Sequence, residues 1–358
     1  MEGLTRQVKE IYQKFGYSQF KMNKFEEYDT YVKNKDFLIS DKVITFTDTN
    51  GKLLAMKPDV TISIIKNTED APSFVQKVFY NENVYRVTDS LTGFKEIMQT
   101  GLECIGDTQP YDVCEVILLA AKSLETISEN YVLDISHMGL VTALIKAASL
   151  ESCADRVLKA ISEKNMPELL KICDECGTED NWKNVIALLI SLYAPISEIG
   201  DKLSALAVND ETKAVIDELY SIFRVIEEGG AADRVCIDFS VVNDMNYYNG
   251  IVFRGYIDGV PQGVLSGGQY DRLMAKMGKK SKAIGFAIYM DMLQRLFMQS
   301  KEFDADVLLC YEKGTPAINV YKAAEEIINS GKSVIVQRGG EKVRCRESVT
   351  LTKEGVRR

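Results

Sequence analysis

Between Ile237 and Leu293 three segments follow one another at short intervals: MNYYNGIVFRGYI (residues 245–257), VLSGGQYDRLM (264–274) and KAIGFAIYMDML (282–293). Each reads as an apolar strand or helix carrying glycines and tyrosines at set places. Tyr247 and Tyr248 open a β-rich run, Ser266-Gly267-Gly268 reads as a tight backbone turn ahead of Tyr270 and Asp271, and Gly285 interrupts a small-apolar strand before a helix. The pattern is that of a pocket floor.

Outside that stretch, 358 residues with 46% hydrophobic content can bury a full core and accommodate two or three folding units. A net charge of −9 repels polyanions, so nucleic acid is not the default partner. The N-terminus is amphipathic and charged without an apolar signal core, and no window holds the roughly 18 apolar residues of a membrane span. A cytoplasmic protein with no membrane association is expected. Eight scattered cysteines suit a reducing compartment. Cys173-x-x-Cys176 lacks the second pair or nearby histidine that would complete a metal site, and reads as two ordinary thiols. The single histidine, His137, lies among apolar residues and reads as a packed or capping side chain. Neither GxGxxG nor a P-loop string occurs, and no metal or cofactor is expected.

Leu4, Val8, Ile11, Tyr12 and Phe15 make a helical stripe that Gly16 stops. Tyr17 to Val32 reads as aromatic and extended, and VITFTD and KLLAMK flank an Asn50-Gly51 hairpin turn. Pro58 ends that strand, and Asp59 opens a helix. Residues 74–86 and 97–106 read as neighbouring strands, 113–130 as a long helix and 131–136 as a strand. From 138 to 228 nearly everything has helical period, with breaks at Asn165-Met166-Pro167, Gly177 and Ala194-Pro195, before strands return at Val235. After Phe303 come a strand, a helix stopped by Gly331 and another strand. The expected fold is α+β, a mainly antiparallel sheet flanked by helices. Its core is 1–137 and 232–300, with a helical insertion at 138–231 and a small α/β C-terminal tail at 303–358.

Several polar groups in these strings suit a small zwitterion with a polar ring. Carboxylates at Asp59 and Glu103 pair with an ammonium or an imidazole N–H, Gln99 donates and accepts, and Thr61 and the tyrosines fix orientation. Taken singly, each has a plainer use. Asp59 and Thr61 are suited to cap a helix, Gln99 and Glu103 to form a solvated strand face, and Arg86 to be a surface cation.

The order of the strings resembles the histidyl-tRNA synthetase catalytic core, a class II aminoacyl-tRNA synthetase fold. KPDVTISIIKN (57–67) is similar to the synthetase "RPEGT" segment, VYRVTDSLTGFKEIMQTGLECIG (84–106) to the motif 2 region, and the 237–293 stretch to the tyrosine-pair signature followed by motif 3. The resemblance implies that Asp59, Thr61, Gln99, Glu103, Tyr247, Tyr248 and Tyr270 form a histidine-like ligand pocket. It places Arg86 on the motif 2 arginine that contacts the carboxylate and α-phosphate.

Departures from the family pattern point away from catalysis. The synthetase R-G-x-D-Y-Y string reads Asn243-Asp244-Met245-Asn246-Tyr247-Tyr248, and Met292 stands where motif 3 places an arginine on ATP. A thioether cannot neutralise a phosphate. In the motif 2 loop Lys95 is the nearest cation, and Asn23 replaces the motif 1 proline. Adenylate formation depends on positioned charge, so losing two arginines costs several kcal/mol of transition-state stabilisation, on the order of 3 or more. Only 55 residues follow Phe303, too few for a whole anticodon-binding domain, and the basic residues Lys342, Arg344, Arg346, Arg357 and Arg358 read as a solvated surface. No catalytic residue is assigned. The chain therefore resembles the regulatory subunits of ATP phosphoribosyltransferase, with a divergent histidyl-tRNA synthetase or amino-acid-activating ligase as the alternative. The regulatory resemblance implies a short-form catalytic ATP phosphoribosyltransferase subunit and a second copy of this chain as partners, histidine as ligand, and no tRNA.

Overall fold

The computed structural model describes residues 2–34, 38, 43–70, 73–87, 93–242, 248–297, 303–338, 342–352 and 355–357. They divide into two compact units, Met1–Gln294 and Arg295–Arg358. The first begins with α1 (Glu2–Lys14), β1 (Ser18–Gln19), β2 (Phe25–Glu27), α2 (Tyr28–Val32), β3 (Thr45–Thr47), β4 (Leu53–Met56) and α3 (Val60–Lys66). Long strands β5 (Val75–Val87) and β6 (Phe94–Gly106), α4 (Pro110–Ile127) and β7 (Tyr131–His137) follow. Then come α5 (Met138–Ala147), α6 (Ala154–Ser162), α7 (Met166–Glu175), α8 (Asp180–Ser191), β8 (Tyr193–Pro195), α9 (Ile196–Ile199) and α10 (Asp210–Glu228). The unit finishes with β9 (Val235–Asp238), β10 (Ile251–Ile257), β11 (Leu265–Gln269), α11 (Asp271–Lys276), β12 (Lys282–Tyr289) and the start of α12 (Met290–Phe297).

Nine strands form one sheet in the order β1-β5-β6-β12-β11-β10-β7-β9-β8. All neighbours are antiparallel except β1 with β5 and β7 with β9. Its register explains the two faces. Phe79, Leu102, Phe286, Gly267, Phe253, Ile135 and Ile237 lie side by side across seven strands. That apolar row is buried beneath α1 and α4, whose Tyr12 and Ser123 join by a 2.9 Å hydroxyl hydrogen bond. Tyr12 also packs its ring 6.1 Å from both Phe79 and Phe286. The same apolar cluster runs on through Val157, Ile172, Ile186 and Leu219 of α6, α7, α8 and α10. Sheet and helices thus share one continuous core.

Outside the central strands two local readings differ from the sequence. Tyr28–Val32 is helix, not strand, because one turn carries Tyr31 into a second core, where its hydroxyl meets Ser63 at 3.2 Å. Burial there overrides the strand preference of aromatics. The Ala194-Pro195 break is the edge strand β8, where proline needs no ladder donor. The expected hairpin is present: Gly51 has φ +81°, and Asp48 accepts hydrogen bonds from the Asn50 and Lys52 amides. Cys173 is buried, whereas Cys176 Sγ lies 2.8 Å from Cys153 Sγ. Among the described residues no helix is long and apolar enough to cross a membrane. The second unit is a four-stranded sheet with α13 (Ala317–Asn329), in the order β14 (Val334–Gln337), β13 (Ala305–Tyr311), β15 (Cys345–Thr352), β16 (Gly355–Arg357).

His137 caps α5: its Nδ1 accepts the Leu140 amide at 3.2 Å, and Gly139 leaves room for the ring. Burial lowers its pKa to about 4. The unfolded chain then binds the proton more tightly, so the stability His137 contributes is complete above about pH 6.5 and is lost as pH falls through about 4. His137→Asn should keep the cap and remove this acid sensitivity, while His137→Ala should cost about 1 kcal/mol at neutral pH. Denaturant titrations of the three proteins between pH 4 and 8 check this.

Candidate functional site

The face of the sheet opposite α1 and α4 is built from what is missing. Glu103, Gly285, Gly268 and Val252 form one register row, and Tyr80, Gly101, Ala287, Ser266, Arg254 and Asp134 the next. Glycine, alanine and serine at the centre leave a cavity of about 660 Å³ floored by β12 and β11. The Ser266-Gly267-Gly268 turn read from the sequence is instead part of β11. These glycines thin the sheet: a Cβ on Gly268 would sit 2.7 Å from the Tyr248 ring, and one on Gly267 would strike the Gly285 carbonyl.

Asp59, Thr61, Arg86, Gln99, Glu103, Tyr248 and Tyr270 all line this cavity, whereas Tyr247 and Asn243 lie outside the described residues. Glu103 is the hub. It accepts hydrogen bonds from Thr61 Oγ1 at 2.8 Å and Tyr270 OH at 2.6 Å, and is only 2% exposed. Burial, with a smaller push from the nearby Asp59 charge, raises its pKa to about 8 despite those two donors. Gln99, four residues before Glu103 on the same face of β6, is also buried. Both therefore form a wall, not a solvated edge.

Asp59 does two things at once. Its Oδ1 accepts the Ile62 amide at 2.9 Å and caps α3, which aims Thr61 at Glu103, while the carboxyl also lines the cavity. Burial raises its pKa, and the Arg86 guanidinium opposes the rise. Arg86 donates Nε to the Pro58 carbonyl at 3.1 Å. The buried Lys57 Nζ meets the half-buried Glu82 Oε2 at 2.8 Å and ties the end of β4 to β5. At the rim, Lys95 is paired with Asp291, and Met292 lines the wall beside them. Arg254 and Tyr289 also face the cavity without having been singled out in the sequence. The available signal was strand alternation: Arg254 shares its β10 face with Val252 and sits opposite Ser266. Among the described residues no three His, Cys, Asp or Glu side chains gather as a metal site.

A methyl group on Gly285 would overlap Glu103 Oε2 and crowd the Leu102 carbonyl at 2.5 Å. Gly285→Ala is therefore expected to cost about 1–3 kcal/mol by overpacking and to displace Glu103 from Tyr270. Chemical denaturation gives the first, and titration of Glu103 by carbon-detected NMR the second; unchanged values for both would contradict this packing.

Residues 1–293 match the family model described as histidyl-tRNA synthetase. The ATP phosphoribosyltransferase regulatory subunit of Clostridium kluyveri is 30% identical over 353 residues, spanning 95% of this chain and 90% of that protein. The fold is similar to a solved ATP phosphoribosyltransferase regulatory subunit/histidyl-tRNA synthetase from Bacillus halodurans, with a TM-score of 0.78 at 24% identity over 98% of this chain and 93% of that one. A chain of the ATP phosphoribosyl transferase (HisG:HisZ) complex from Thermotoga maritima gives a TM-score of 0.62 at 21% identity over 80% of this chain and 96% of that one. With residues 1–293 matched by that family model and 95% of its length by a relative 30% identical, the chain belongs to the ATP phosphoribosyltransferase regulatory subunits, a family built on the histidyl-tRNA synthetase fold.

Proposed function

We propose that this chain is non-catalytic by itself, assembles with a short-form catalytic ATP phosphoribosyltransferase subunit and with a second copy of itself, and holds histidine in the cavity around Glu103. The observation that carries the reading is the contrast between two parts of one cavity. The Glu103 carboxyl is buried and held by hydrogen bonds from Thr61 and Tyr270, while Met292 occupies the wall where the synthetase resemblance calls for an arginine. Lys95, the nearest cation of the motif 2 loop, is paired with Asp291. The regulatory name of the Clostridium kluyveri relative and the HisG:HisZ title of the Thermotoga maritima structure support the assembly. The proposed organisation is a synthetase-like core at 1–137 and 232–300, a helical insertion at 138–231 and a C-terminal region at 303–358, working in the cytoplasm without tRNA.

Histidine bound here couples to catalysis elsewhere only through a difference in its affinity for two states of the assembly. Because Glu103 is mostly protonated near neutral pH, a cationic ligand group placed on it releases a proton. Glu103→Gln keeps the neutral shape and loses the charge, which should weaken histidine by roughly 10- to 150-fold and abolish the proton release seen in calorimetry. The variant should still co-elute with the catalytic subunit at micromolar concentration, with the activity of the assembly no longer responsive to histidine. A chain that stays monomeric and ignores the catalytic subunit overturns the assembly. Unchanged histidine response in Glu103→Gln overturns the site.

A further inference from the structure

We propose that Cys153 and Cys176 form a reversible disulfide that fastens the hairpin of α6 and α7. Val157, Ala160 and Ile161 of α6 and Leu169 and Ile172 of α7 lie in the shared core. One end of the hairpin is closed by the chain itself. Lys164 takes a φ of +50°, the Lys164 and Asn165 amides donate to the carbonyls of Ile161 and Ala160, and the Asn165 side chain caps α7. At the other end Cys153 precedes α6 and Cys176 follows α7, with their sulfurs 2.8 Å apart. They stand 23 positions apart in sequence, so a bond there closes the whole hairpin into a ring.

Both residues are half-buried, which leaves the pair within reach of a small reagent while packing holds it in place. Bond formation asks for an approach of under about 1 Å between the sulfurs. Arg156, in the first turn of α6, reaches Glu168 at 3.0 Å and Glu175 at 2.8 Å and ties α6 to α7 beside the thiols. The hydrogen bond from Cys176 lowers the Cys153 pKa, the Ser152 hydroxyl and the Arg156 charge act the same way, and that bond raises Cys176. Cys153 is thus the nucleophile and Cys176 the resolving thiol. Cys173, closer to Cys176 in sequence, lies in the core, where burial raises its pKa, and takes no part. The oxidant is a low-molecular-weight disulfide. The Cys153 thiolate attacks one of its sulfurs, the bond between them breaks, and one half leaves as a thiolate. Cys176 then loses its proton, attacks Cys153 Sγ and releases the other half. Two cysteine thiols are oxidised, and the small disulfide is reduced to two thiols, which take up the protons.

The test incubates the full chain with glutathione disulfide, alkylates the remaining thiols and maps the peptides by mass spectrometry, with fragment ions separating Cys176 from Cys173. The wild type should yield a Cys153–Cys176 linked peptide that dithiothreitol removes, with Cys173 alkylated only after unfolding. Hydrogen exchange in α6 and α7 should slow by roughly 10-fold in the oxidised chain and recover on reduction. Cys176→Ser should stop at the first step and keep glutathione on Cys153. Cys153→Ser should react at Cys176 about 10-fold more slowly than Cys176→Ser does at Cys153. Free Cys153 and Cys176 after incubation, or glutathione held on either in the wild type without a linked peptide, overturns the pair. A linked peptide through Cys173 overturns it as well. Equal rates in the two variants overturn the assignment of Cys153 as nucleophile.

Discussion

A carboxyl group buried in the middle of a β-sheet has to be accommodated before anything can be built around it, and Glu103 sets that condition here. Its side chain needs a neighbour with no side chain, which Gly285 provides on β12. It needs donors, which Tyr270 and Thr61 provide from opposite sides. Thr61 is aimed by the helix that Asp59 caps, and Tyr270 closes the strand before α11. Each of these residues is fixed by a different element, so the cluster couples the β4–α3 segment, β6, β11 and β12. The opposite sheet face, with Phe79, Leu102, Phe286 and Phe253 packed on α1 and α4, gives those strands the rigidity that holds the register.

Burial also sets what the cavity can and cannot do. A carboxyl raised to about pH 8 by burial takes up a cationic group only with loss of its proton, so any such pairing at neutral pH is linked to proton release. Stabilising the dispersed charge of a reacting phosphate asks for several positioned cations at once. On the β5–β6 side the Arg86 and Lys95 charges are opposed by Asp59 and Asp291, which leaves little positive charge there for a nucleoside triphosphate.

Much of this was legible in the chain because it rests on local rules. Asn50-Gly51 made the hairpin, Asp59 the helix start, and the four-residue spacing of Gln99 and Glu103 put both on one strand face. The less legible parts depend on partners far away in sequence. Ser266-Gly267-Gly268 reads as a turn because glycine usually marks one, yet here its glycines thin a central strand, and only the register with Phe286 and Tyr248 shows why. Tyr31 is drawn into helix by Ser63, 32 residues on. Arg254 sits in an ordinary strand string, VFRG, and becomes notable only once Ser266 and Asp134 are its neighbours.

The central claim is that this cavity keeps amino-acid recognition without the charge needed to activate the amino acid. Pyrophosphate exchange measured with histidine and ATP, on a chain shown in parallel to bind histidine, tests it most directly. The account predicts histidine binding with no exchange above background. Appreciable histidine-dependent exchange would contradict it and make the chain an activating enzyme.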